Sequence, residues 1–243
     1  MKKYFEISYQ FIIPDHEQVD FVFKIDDKSL NLMHEESFEP SDWTALNNNK
    51  CSNCPLSSKN YERCPLSVNL DKILSDMSRV ISYQNIDVKV VTAQRTITQN
   101  TSAQRALSSL MGLIIATSGC PHTSFFKPMA RFHLPMAETQ ETIYRASSMY
   151  LLSQYHRKSI GLKPDWEMVG LQKIYKNMQV VNSHIAARLR EVCEKDAMLN
   201  ALILLDLFTQ TVPPSIEKSM IKMQDLFYPY FVFDDLLQDT DKN

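Results

Sequence analysis

Three of the chain's five cysteines, Cys51, Cys54 and Cys64, fall in the run KCSNCPLSSKNYERCPL at residues 50–66. A Cys-x2-Cys pair sets two sulfurs on one tight turn, where they can converge on a single ion, so Cys51 and Cys54 read as half of a metal site. Cys64 follows at loop-like spacing. The second Cys-x2-Cys pair that marks a zinc ribbon is missing, so the fourth ligand must come from elsewhere. Cys120 leads the choice, because GCP at residues 119–121 repeats the Cys-Pro pattern of NCP and RCP, and proline stiffens a turn that presents sulfur. His122, His133 and His34 are the alternatives. Cys120 also falls just past an expected helix C-terminus, where the carbonyl end of the dipole disfavours a free thiolate and a bound cation would favour it. The set Cys51, Cys54, Cys64 and Cys120 points to a structural Zn2+, with an iron–sulfur cluster as the alternative on the same cysteines. Without a metal the same residues are a surface loop and one small packed hydrophobe. Cys193 reads as a buried thiol of a helix stripe and not as a ligand.

The second stretch with chemical content is residues 118–145, SGCPHTSFFKPMARFHLPMAETQETIYR, which reads as the longest irregular segment. Arg131, Arg145 and Lys127 beside His133 make a candidate site for a small anion, a carboxylate or a phosphate, with His133 as a candidate acid or base. Two plainer readings stand beside this one. His133, between Phe132 and Leu134, can be a core histidine, and the arginines can pair with Glu138 and Glu141. Asp165-Trp166-Glu167 reads as a helix N-terminus, and His184 with Arg188 as a surface pair one turn apart.

Composition narrows the function classes. With 26 basic and 28 acidic side chains and a formal charge of −2, the chain offers no field for nucleic acid or anionic lipid. Its four glycines, at 112, 119, 161 and 170, are too dispersed for G-x-G-x-x-G or a P-loop, which need close glycines so that backbone can approach phosphate. No apolar run approaches a membrane span, and the start does not read as a signal peptide. The expected setting is cytoplasmic, where clustered cysteines are metal ligands or redox groups more often than disulfides.

The elements that must position these residues follow from hydrophobic period. Phe5, Ile7, Tyr9, Phe11 and Ile13 alternate, then Val19, Phe21, Phe23 and Ile25, which predicts an antiparallel β-hairpin with Pro14-Asp15-His16-Glu17 between its strands. Residues 28–32 suggest a short third strand, residues 68–83 an amphipathic helix, and residues 86–98 one further strand. Beyond residue 101 the period is helical: 102–118 ended by Gly119, 138–159 ended by Gly161, a long helix opened by Pro164-Asp165, then 197–209, a break at Pro213-Pro214, and 216–227. The fold class is α+β, an N-terminal hairpin or small sheet with one helix followed by a C-terminal helical bundle. The expected organisation is an α+β region at 1–100 containing the cysteine loop, a helical region at 101–232, and an acidic disordered tail at 233–243.

The segments CSNCPL, RCPLS, SGCPHTSFFKPMARFHLP and DWEMVGL together resemble a family of uncharacterised bacterial proteins of similar length. That resemblance covers most of the chain, carries no activity and no catalytic residue, and implies a bacterial, cytoplasmic setting. The leading functional expectation is a non-enzymatic, metal-binding protein with an interaction or regulatory role, its partner another protein or a second copy, and no nucleic acid or membrane. The alternative is an iron–sulfur redox protein, or an enzyme acting on a small anionic substrate at Arg131, His133 and Arg145.

Overall fold

Alternating apolar residues at the N-terminus bury one sheet face. A computed structural model describes residues 3–14, 18–33, 37–77, 80–193 and 195–233, with backbone alone at 211–219. Strands β1 (Tyr4–Ile12) and β2 (Val19–Asp26) form the expected hairpin, with Ile7 opposite Phe23 and Phe5 opposite Ile25. Pro14 begins a turn as expected, while Asp15-His16-Glu17 of that turn, the candidate ligand His34 and the acidic tail from Asp234 onward lie outside the described residues. The segment expected as one strand at 86–98 is itself a hairpin, β3 (Asn85–Thr92) and β4 (Thr96–Ser102). Thr92 makes the turn: its amide donates to the Arg95 carbonyl, and its Oγ1 accepts from the Gln94 and Arg95 amides. The sheet is antiparallel in the order β2-β1-β3-β4. Residues 28–32 add no strand; after a turn, Leu32 forms one isolated bridge to Ile25.

Helix α1 (Pro65–Met77) lies between the hairpins in sequence, starting earlier than expected because Pro65 fixes its first turn, and it also stops earlier. Helix α2 (Ala103–Thr117) ends where Gly119 takes a positive φ of 83°, a conformation that costs glycine little. The stretch at 118–145 is less irregular than its prolines suggest, holding a 3-10 turn at Ser124–Phe126 and the short helix α3 (Lys127–Arg131). Helix α4 (Thr139–Ser159) opens on a capping box between Glu138 and Glu141. Helix α5 (Val169–Val192) starts four residues later than Asp165 suggested, since the Asp165 carboxylate stays outside and accepts from the Gly170 amide (2.6 Å). Helix α6 (Ala197–Lys222) runs through Pro213-Pro214 where a break was expected, and α7 (Tyr228–Val232) is short.

Tyr9, Phe11, Ile25 and Val88 on the inner sheet face join Leu70 of α1, Leu107 and Ile114 of α2, Ile185 of α5 and Ala201 of α6 in one buried cluster. That cluster crosses residue 100, so sheet and helices share apolar contacts. A second cluster forms where α4 meets the start of α5, around Ile143, Tyr150, Leu171 and Tyr175. No helix among the described residues is long and apolar enough to cross a membrane.

Candidate functional site

The four expected metal ligands reach one neighbourhood by three routes. Cys51 and Cys54 close a turn on themselves, the Cys54 amide donating to the Cys51 carbonyl (3.0 Å), while Lys50 Nζ holds the Leu56 carbonyl (2.6 Å). Cys64 precedes α1 as its cap, its carbonyl accepting from Val68 and its amide donating to the Thr44 carbonyl (2.8 Å). Cys120 follows α2 in the turn after Gly119. Asn69 ties the last two together: its Nδ2 donates to Pro65 O (2.7 Å) at the start of α1 and to Ser118 O (3.2 Å) at the end of α2. That amide satisfies a helix-end carbonyl that would otherwise be orphaned in the core.

Cys64 is buried, and Cys51, Cys54 and Cys120 are partly buried against the same core. Burial pushes the Cys51 thiol up to about 12, and the charges of Cys64, Cys120 and Cys54 add to the rise while the Arg188 guanidinium opposes it. The four sulfurs are thus near enough to feel one another's ionisation. Burial also raises the Cys120 thiol, against a lowering by the backbone N–H groups of His122 and Thr123, which hydrogen-bond it. Amides aimed at a sulfur stabilise its thiolate form, the form a metal needs. As the side chains stand, however, no group of three His, Cys, Asp or Glu among the described residues has the arrangement to hold an ion.

Arg188 is the unexpected member of this neighbourhood. Read from sequence as a surface residue, it is 1% exposed. Its Nη1 donates to the Ala45 carbonyl (3.0 Å), the Trp43 carbonyl (3.4 Å) and Ser67 Oγ (3.1 Å), and its Nη2 donates to the Leu46 carbonyl (3.1 Å). Its Nε has no partner, and no carboxylate among the described residues pairs with the guanidinium. The loop it grips is pinned elsewhere as well. Asp71 accepts from Trp43 Nε1 (2.6 Å) and the Ser41 amide (2.7 Å), and Asn53 Nδ2 reaches the Asn177 carbonyl (3.3 Å) on α5. His122 Nε2 lies 2.7 Å from the Asn53 carbonyl, so this nitrogen braces the Cys-x2-Cys turn from outside. His133 is engaged elsewhere, with Tyr9, and Cys193 caps the C-terminus of α5, its thiol raised to about 11 by burial.

The second candidate stretch surrounds a cavity of about 640 Å³ bounded by α2, α3, α4, α5 and α6. Leu113, Ala116, Met178, Leu205 and Phe208 give it apolar walls, and Arg105, His133, Glu138, Arg145 and Tyr175 are among the polar residues that line it. Among the expected anion-site residues, His133 and Arg145 share this wall, but Arg131 turns away and lies over the Phe5 ring at 4.6 Å, and Lys127 Nζ donates to the Ser29 carbonyl (2.6 Å). The expected arginine–glutamate pairing is replaced by other partners. Arg145 Nη2 donates to the carbonyls of Met129 (2.8 Å) and Phe132 (3.0 Å), while Glu141 accepts from the Glu138 amide (2.7 Å).

His133 belongs to a chain of hydrogen bonds reaching from sheet to loop. The Met136 amide donates to Ser109 Oγ (2.9 Å), Ser109 lies 2.9 Å from Tyr9 Oη, and Tyr9 Oη also bonds His133 Nε2. All are satisfied when Ser109 donates to Tyr9 and Tyr9 donates to an unprotonated Nε2. Burial, reinforced by the Arg145 charge, pulls the imidazole down to about 3, so the ring is neutral at physiological pH. Tyr175 Oη, by contrast, makes no hydrogen bond among the described residues although its side chain is 4% exposed.

A family model described as Domain of unknown function (DUF6901) matches residues 7–228. The chain belongs to this family. No curated protein and no solved structure matches it. The DUF6901 match spans all but the first residues of the sheet, the cysteine loop and the helices around the cavity, in line with the resemblance to an uncharacterised family. Sequence reasoning missed Arg188, Asn69 and Tyr175. One signal was available: Met178, Val181, Ile185, Arg188 and Val192 keep a spacing of three and four, which puts a cation on an otherwise apolar stripe.

Proposed function

We propose that Cys51, Cys54, Cys64 and Cys120 bind a structural Zn2+ that clips the loop at 41–64 onto the end of α2, making a metal-stabilised interaction protein. The observation that carries this reading is the fully buried Arg188 beside Cys51, with carbonyls around it but no carboxylate among the described residues to match its charge. A buried cation needs a counter-charge, and four thiolates on a divalent ion form a net dianion that supplies it. The donor chemistry agrees: the neighbouring sulfurs repel one another as free thiolates, and a shared cation removes that repulsion.

Elemental analysis of protein purified without added metal tests the proposal. The expected result is one zinc per chain, lost in Cys64→Ser together with a large drop in melting temperature. Absence of stoichiometric metal from fully reduced, folded protein overturns it. The prolines after Cys54, Cys64 and Cys120 favour an iron–sulfur cluster as the second reading. Brown protein with iron and sulfide in place of zinc selects that reading.

The exposed aromatic side chains of Phe227, Tyr228, Tyr230, Phe231 and Phe233 support a protein partner or a second copy as the object of the interaction. A concentration series in analytical ultracentrifugation tests self-association directly.

A further inference from the structure

The cavity lies between the two buried clusters, lined by Leu113 and Met178 of one and Tyr175 of the other. Protein interiors are close-packed, so a void of about 640 Å³ walled by apolar side chains is the size and make-up of a ligand site and far above a packing defect. Its polar groups state what kind of ligand. Arg145 is half-buried, fixed by two backbone carbonyls through Nη2, and leaves Nη1 and Nε without a partner among the described residues. Tyr175 Oη is the second unpaired donor on the same wall, on a side chain that is almost wholly buried and held edge-on by the Phe126 ring at 5.5 Å. The other charged groups on the wall do not cancel this. The Arg105 Nη2 donates to the Met136 carbonyl (3.3 Å), the Glu138 carboxylate stands at the N-cap of α4 where the helix dipole offsets its charge, and His133 is neutral.

We infer that this cavity binds a single-tailed amphiphile with a carboxylate head, the head on Arg145 and Tyr175 and the tail along Leu113, Met178 and Phe208. A guanidinium with two free N–H groups and a phenol donor match a carboxylate, and burial of an alkyl chain against the remaining wall supplies most of the affinity. The inference does not depend on the metal reading, since the cysteine loop and the cavity share none of their lining residues.

The test uses the full chain and titrates it calorimetrically with dodecanoate, dodecanol and dodecylamine. Dodecanoate is expected to bind with one site per chain, and the alcohol and the amine at least about tenfold more weakly. Arg145→Met should weaken dodecanoate by about tenfold or more, and Tyr175→Phe by about threefold to tenfold, with dodecanol unaffected by either change. Because Arg145 also holds two carbonyls, Tyr175→Phe, which keeps the ring and its packing, decides the matter if Arg145→Met does not fold. Failure of dodecanoate to bind overturns the inference. So does an alcohol that binds as well as the acid, or Tyr175→Phe binding as tightly as the parent.

Discussion

Around Arg188 both terminal guanidinium nitrogens meet protein partners and only the buried Nε lacks one, whereas Arg145 leaves Nη1 and Nε at the edge of open volume. Arg188 makes four hydrogen bonds, three to one loop and one to Ser67 of α1, and is 1% exposed. Arg145 makes two and faces a cavity of about 640 Å³. The same residue type is therefore a structural strut in one place and a receptor in the other. What separates them is how many donors the protein leaves unmatched at a wall that solvent or a ligand can reach. Guanidinium N–H groups committed to carbonyls order a loop, and uncommitted ones select an anion.

Replacement of each arginine by methionine gives the sharpest separation and the largest expected effect. Arg188→Met strips donors from the carbonyls of Trp43, Ala45 and Leu46 inside the core and should cost about 3–5 kcal/mol in urea unfolding. Arg145→Met removes two such bonds near the surface and should cost about 1–2 kcal/mol. Equal losses at the two positions would erase the distinction.

A second, smaller effect tests the packing behind the cavity. A methyl group on Gly170 would stand 2.1 Å from Tyr150 Oη, which cannot retreat without leaving Asp165 Oδ2 (2.8 Å). Gly170→Ala should therefore cost about 1–3 kcal/mol, and adding Tyr150→Phe should recover part of that loss. If the double variant is instead additive, the clash is relieved by backbone movement and the wall near Tyr175 is softer than its packing implies.

Much of this architecture was readable from period and spacing. The first hairpin, α1 and α2 follow their apolar patterns, while α4 has little apolar stripe and is legible at its end, where Gly161, like Gly119 after α2, takes a positive φ. The second hairpin was hidden because Thr92 to Thr96 carries no glycine or asparagine turn signal; Thr92 Oγ1 does that work instead. The gathering of Cys120 with the cysteine loop was suggested by its Cys-Pro repeat, yet the amide of Asn69 that joins the two helix ends gives no signal in a linear pattern. The cavity was not legible at all. Its walls come from five helices, and an apolar residue facing a void has the same periodicity as one facing a neighbour.

His133 supplies a pH-dependent contrast with Arg145 beside it. The imidazole titrates near 3 when folded and near 6.5 in an unfolded chain, so the unfolded state binds more protons between those values. Unfolding free energy therefore rises with pH across that window, and stability is lost as the pH falls through it. His133→Gln should flatten the dependence by up to about 1.4 kcal/mol per pH unit around pH 5, less to the extent that the partly exposed ring is screened. An unchanged slope in urea unfolding across pH 4.5–6.5 would show that the ring is not held neutral.

Arg131 is expected to show the smallest effect, and it separates position in sequence from position in the site. It lies between Met129 and His133 in the chain, and by spacing alone belongs to the same anion site as Arg145. Its guanidinium instead lies 4.6 Å from the Phe5 ring centre and 5.8 Å from that of Phe132, outside the cavity wall. A cation over exposed rings contributes about 0.5–1 kcal/mol, so Arg131→Ala should lower stability by that order. It should leave dodecanoate affinity where it was. A tenfold loss of affinity in Arg131→Ala, with melting little changed, would mean that the two arginines act on one anion after all. Arg188 would then be a strut beside a pair of receptors, with α3 moving to bring Arg131 to the cavity.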